Sequence, residues 1–135
     1  MSVKQFLLIF VSFTFFSGAY AEPEKLSLTA DEWKQGKKIF KRYCSKCHGK
    51  TAKGDGRMNK LYLKLRTNTP SNFTIGYYEK RPTKYLRKII TEGGEKHNRS
   101  KYMPPFKDEL TSEQIDIMVK LIQFTGQEGM FPSSK

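Results

Sequence analysis

Five consecutive residues, Cys44-Ser45-Lys46-Cys47-His48, constrain this chain more than anything else in it. They hold both cysteines of the 135-residue sequence and one of its two histidines. A disulfide between positions three apart would close almost no loop and remove little entropy from the unfolded chain. A thioredoxin-like redox pair needs a strand–helix–strand setting, and no convincing strand pattern is found. A tetrahedral zinc site needs four ligands, usually from two separated pairs. Beyond this string only His97 remains, with no second pair.

The spacing C-x-x-C-H is the attachment signature of c-type haem. Two thiols about one helical turn apart can reach the two vinyl groups on neighbouring edges of one porphyrin and form thioethers. The following histidine is then turned under the ring, where its imidazole reaches the iron. This predicts one covalent haem held by Cys44 and Cys47, with His48 as an axial ligand.

The N-terminus has the layout of a secretory leader. Lys4 supplies the positive charge, Phe6 to Phe16 is an apolar run, and Ala19-Tyr20-Ala21 is a small-residue cleavage signal. Eleven residues are too few for a spanning helix, which needs about 20. Cleavage after Ala21 is expected, leaving residues 22–135 as one small domain, with a core over 27–126 and a loose tail at 127–135. A periplasmic location follows from that expectation. Cleavage removes one lysine and no acid, so the formal charge moves only from +12 to +11. So basic a chain suits an acidic protein partner or an anionic membrane surface; export argues against nucleic acid. A merely solvated basic surface is the alternative.

Hydrophobic periodicity and caps predict four helices. The first opens at Thr29 with Glu32 three residues on, a capping box, and runs to about Cys44 with Trp33, Ile39, Phe40 and Tyr43 on one face. Gly36 inside it costs about 1 kcal/mol relative to Ala, which close approach of another helix would explain. Arg57 to Leu65 offers Met58, Leu61, Tyr62 and Leu65 at helical spacing. The third helix opens at Pro82-Thr83 with Leu86, Ile89 and Ile90 inward, and stops at Gly93-Gly94. The fourth opens with the capping box Thr111/Gln114 and carries the stripe Ile115, Met118, Val119 and Ile122, with Gly126 as its stop. No large exposed apolar patch is expected.

Three strings in this order carry a wider resemblance: Gly36-x-x-Ile39-Phe40-x-x-x-Cys44-x-x-Cys47-His48-Gly49, then Ala52-Lys53-Gly54-Asp55-Gly56, then Met103-Pro104-Pro105-Phe106 before a terminal helix. The chain resembles the class I cytochrome c family over about Leu28 to Phe124. The resemblance implies an all-α fold, a small bundle of about four helices around one covalently bound haem c, with the first and last helices crossing near Gly36, Phe40 and Phe124. It implies a methionine as sixth iron ligand, a role that Met103 fits because Pro104 and Pro105 keep the backbone out of a helix. His97 in the same segment is the rival ligand, and an open sixth site is a third case. Pro70 resembles the loop proline whose carbonyl accepts from the haem-ligating histidine; a plain turn proline is the alternative.

With His48 and Met103 on the iron there is no place for substrate, so the expected function is one-electron carriage between redox proteins, not enzymatic catalysis. A cytochrome subunit or electron acceptor of an exported dehydrogenase or oxidase complex is the second reading. A haem protein with an open or His-ligated sixth site is the third.

Overall fold

A computed structural model of the protein describes residues 27–125. The expected leader at 1–21, the stop at Gly126 and the tail at 127–135 lie outside the described residues.

The first capping box forms as written. Thr29 N–H donates to Glu32 Oε2 at 2.8 Å, and Glu32 N–H donates to Thr29 Oγ1 at 3.2 Å. Together they satisfy two of the donors a helix start leaves open and launch α1 (Ala30–Ile39). The run does not stop at Cys44 as expected. It widens into one π turn over Phe40–Cys44, where the Ser45 N–H reaches back to the Phe40 carbonyl, and continues as α2 (Ser45–His48). The reason lies in the following loop, whose amides satisfy the carbonyls this helix end would leave bare. Gly54 N–H donates to His48 O at 2.8 Å, Gly56 N–H to Cys47 O at 3.1 Å and Met58 N–H to Lys46 O at 3.2 Å. The Cys-His string therefore sits in a capped helix end, beginning on the last residue of a π turn of the kind that recurs at functional sites.

Helix α3 (Asn59–Lys64) is shorter than the expected Arg57–Leu65, and only Tyr62 on it is buried. Leu61 and Leu65, expected inward, are exposed, and so is Leu63. Successive helical residues lie about 100° apart, so with Tyr62 turned inward Leu61 and Leu63 flank it on either side, while Leu65 is the C-cap. An irregular stretch leads to α4 (Thr83–Glu92), which buries Leu86 and Ile90 and ends at Gly93. A 3-10 turn at Glu95–His97 interrupts the loop that follows.

The second capping box, Thr111 with Gln114, opens α5 (Ser112–Phe124). Its buried set is wider than the predicted stripe, adding Ile117, Leu121 and Gln123, because α5 packs against both α1 and α4. Gly36 is where α1 meets it: a β-carbon there would lie 3.2 Å from Ile117 Cγ2 and 3.4 Å from Leu121 Cδ2. The close approach outweighs the helix-propensity cost of about 1 kcal/mol. Lys120 Nζ bonds Glu32 Oε1 at 2.7 Å across the same crossing, and Arg87 of α4 pairs with Asp116 of α5. Phe40 and Phe124 belong to this core, one buried and one packed on its edge. The architecture is all-α: four helical rods, the first made of α1, the π turn and α2, with no strand among the described residues.

Candidate cofactor site

The first rod, α4 and the connecting loops enclose a cavity of about 510 Å³, within the range of about 300–1,000 Å³ usual for small-molecule and cofactor sites. Cys44, Cys47 and His48 border it, as do Leu86, Ile89 and Ile90 of α4 and Met103 with Pro104. Four residues singled out in the sequence, Cys44, Cys47, His48 and Met103, thus meet around one space.

His48 is held on two sides. Its Nδ1 lies 3.0 Å from the Ser71 carbonyl, and its ring stacks on Phe73 at 4.4 Å between centroids and 22° between planes. A carbonyl only accepts, so Nδ1 carries the proton and Nε2 keeps a lone pair. That is the tautomer a metal-ligating imidazole requires. Burial pulls the His48 pKa below its ordinary value, partly offset by the Ser71 bond, which favours the neutral ring. The acceptor expected at Pro70 is a correction: Ser71, one residue later, takes the bond. The Pro70 carbonyl is instead pressed against Gly54, where a β-carbon would sit 2.5 Å away.

Neither cysteine is in a disulfide. Burial, with the nearby Cys47 sulfur, pushes the Cys44 thiol up to about 12. Cys47 Sγ lies 3.4 Å from Tyr62 Oη, and burial with that contact pushes the Tyr62 phenol up to about 12. Cys44 and Tyr62 are therefore neutral at pH 7, which suits an apolar macrocycle.

The segment carrying Met103 is tied to the end of α4. Gly94 N–H donates to Met103 O at 2.9 Å, Met103 N–H to Ser100 O at 3.1 Å and Phe106 N–H to Ile90 O at 3.0 Å. Gly93, at φ +82°, lets the strap lie this close: a β-carbon there would be 2.9 Å from Pro105 N and 3.0 Å from Met103 O. His97 is directed elsewhere. Its Nε2 lies 3.1 Å from Glu92 Oε2, and it is not among the residues bordering the cavity.

Two bordering residues, Arg81 and Arg99, were missed by sequence reasoning. Arg81 has its guanidinium 4.1 Å from the Tyr77 ring and 5.1 Å from the Tyr85 ring, and its buried Nε has no hydrogen-bond partner. Arg99 bonds Tyr85 Oη through Nε and Nη2 at 3.1 and 2.8 Å. The aromatic density from Tyr62 to Tyr85, in a stretch otherwise polar, was the available signal.

These features fit haem. The walls are mostly apolar, two thiols and a correctly tautomerised imidazole share one face of helix, and an unpaired arginine donor suits a propionate.

Comparison with known proteins agrees. Residues 31–122 match the family model described as cytochrome c oxidase, cbb3-type, subunit III. The chain belongs to this family of c-type cytochromes. Its cofactor is haem c, covalently bound, with its iron. A nitrite reductase of Stutzerimonas stutzeri is 33% identical over 110 residues, covering 79% of this chain and 18% of that protein. A chain of the reducing HAO-like protein complex of Kuenenia stuttgartiensis is 28% identical with a TM-score of 0.55, covering 75% of this cytochrome and 43% of that chain. The cytochrome therefore spans less than half of either relative. Among the described residues no helix is long and apolar enough to cross a membrane.

Proposed function

We propose that this cytochrome is an exported one-electron carrier rather than an enzyme, with haem c fastened by Cys44 and Cys47 and its iron held between His48 and Met103. The single observation that carries this reading is the meeting of those four side chains around one apolar cavity. When bound, the haem supplies a one-electron Fe(II)/Fe(III) couple. The protein's part is positional. The Ser71 carbonyl and the Phe73 ring fix the His48 imidazole. The glycine pair 93–94 seats the Met103 strap. Arg81 and Arg99 supply positive charge for the propionates. With His48 and Met103 both holding the iron, no open site would be left for substrate, which is the chemical argument against catalysis.

The proposal includes cleavage after Ala21 and a periplasmic location for residues 22–135, supported by Lys4, the apolar run and Ala19-Tyr20-Ala21. It also includes acidic redox partners, supported by a charge of +12 over the whole sequence. Electrostatic steering of that kind falls steeply with ionic strength.

Replacing Met103 with Ala, by spectrum and redox titration, tests the reading. Loss of the methionine-ligated spectrum and a large fall in potential are expected, while His97→Ala changes neither. A Met103→Ala protein with an unaltered spectrum would overturn the ligand assignment and favour an open or differently ligated iron. A second reading, a permanent subunit or acceptor of a dehydrogenase or oxidase complex, is favoured by the relatives' greater length. Co-purification in a larger complex would establish it; a monomer in gel filtration would exclude it.

A further inference from the structure

The three leucines of α3 that face solvent need an explanation. Leu61, Leu63 and Leu65 are 44%, 59% and 49% exposed, and Tyr102 beside them is 39% exposed. Leu61 and Leu63 lie next in sequence to Tyr62, which does border the cavity, as does Tyr102. Tyr62, between Leu61 and Leu63, touches Cys47 Sγ at 3.4 Å and stacks on Tyr102 at 5.3 Å. Leu61 and Leu65, about one turn apart, lie to one side of Tyr62 and Leu63 to the other, so Tyr62 alone links these exposed leucines to the cavity.

The charge around these leucines is one-sided. No acidic residue occurs between Asp55 and Glu79, whereas Arg57, Lys60, Lys64 and Arg66 lie in and around α3, all exposed. Lys101, also exposed, holds its ammonium 5.6 Å from the Tyr102 ring. Exposed apolar side chains interleaved with one sign of charge are the layout of a transient docking face: the charges steer the encounter and the apolar groups exclude water. A membrane surface fits less well, since the apolar residues come from a helix of six residues rather than a long amphipathic one.

We infer that α3 and Tyr102 form the docking face for an acidic redox protein. This rests on the carrier reading and adds where the partner sits. The residues involved are exposed, so substituting them leaves the core intact.

The test uses the isotope-labelled holoprotein, titrated at low salt with an acidic blue-copper protein and followed by NMR. Shift changes are expected to cluster on residues 57–66 and 100–103. Lys64→Glu should weaken binding about tenfold and Leu63→Asn about fivefold, while Lys38→Glu on α1, the same charge change elsewhere, costs less than about threefold. Unchanged visible spectra and helical circular dichroism show that each variant is folded. Shift changes centred elsewhere, or equal weakening by Lys38→Glu and Lys64→Glu, would overturn the face. Electron transfer measured on the same pair separates the two claims. Transfer with binding elsewhere leaves the carrier reading standing and removes the face. Binding at α3 without any transfer keeps the face and removes the carrier reading.

Discussion

The Ser71 carbonyl decides which nitrogen of His48 is free. It accepts a hydrogen bond from the Nδ1–H at 3.0 Å, leaving Nε2 with the lone pair that a metal would need. Phe73, stacked at 4.4 Å, holds the ring's plane, and Tyr78 meets Phe73 edge-on at 5.0 Å. The His48 imidazole is therefore oriented by a backbone oxygen that mutation cannot easily remove and an aromatic ring that it can.

Phe73→Ala should remove that support. Phe73 is a buried core residue, so the loss of stability is expected to be about 3–5 kcal/mol, measured by chemical denaturation. The haem signals should also broaden in NMR as the imidazole gains freedom. A sharp, unshifted set of haem signals would contradict the orienting role.

Arg81 carries a buried Nε without a partner, and on this account a haem propionate receives it. Arg81→Gln would leave that negative charge unbalanced and so favour the ferric state. The potential should fall on the order of 60 mV, the equivalent of a tenfold change in a one-electron equilibrium. Protein-film voltammetry measures it directly; an unchanged potential would count against the pairing.

Gly36→Val probes the crossing of α1 and α5. Valine's methyl groups would intrude on Ile117 and Leu121, which already stand 3.2 and 3.4 Å from the place of a β-carbon. Overpacking of this kind costs about 1–3 kcal/mol, more than the helix gains by losing glycine. The midpoint of denaturation should fall, whereas Lys37→Val at the exposed neighbour should lower it far less.

Much of this was legible because it is local. The cysteine–histidine string carries its chemistry within five residues, and both capping boxes lie within four. Gly36 left open a close neighbour or plain tolerance of glycine, and the crossing with α5 decides for the neighbour. What the sequence hid depends on distant segments. The helix end moved from Cys44 to His48 because amides of Gly54, Gly56 and Met58 cap it. Helical spacing placed Leu61 and Leu65 inward, but α3 follows Tyr62, whose inward turn is set by Cys47 and Tyr102. The step from Pro70 to Ser71 as acceptor is a matter of one residue in an irregular loop, where no periodicity fixes which carbonyl points inward.

Glu32 predicts an acid dependence. Its bond from Lys120, first, and the Thr29 cap hold its pKa below the ordinary 4.5. The folded form therefore binds a proton less readily than the unfolded chain. The stabilisation is complete above about pH 4.5 and is lost as the pH falls through the lowered value. Both partners are partly exposed, 39% for Lys120 and 24% for Glu32, so the pair is worth at most about 1 kcal/mol. Glu32→Gln should lower stability by that amount at pH 7 and flatten the fall below pH 4.5, read from denaturation curves across pH.

The central claim is that Cys44 and Cys47 hold one haem covalently. Intact-mass measurement of the exported protein, with a visible spectrum before and after denaturation, tests it most directly. The account predicts a mass one haem above residues 22–135, colour retained by the denatured chain, and loss of both in the double variant Cys44→Ala/Cys47→Ala. A mass equal to the bare polypeptide, or colour that leaves the chain on denaturation, would contradict it.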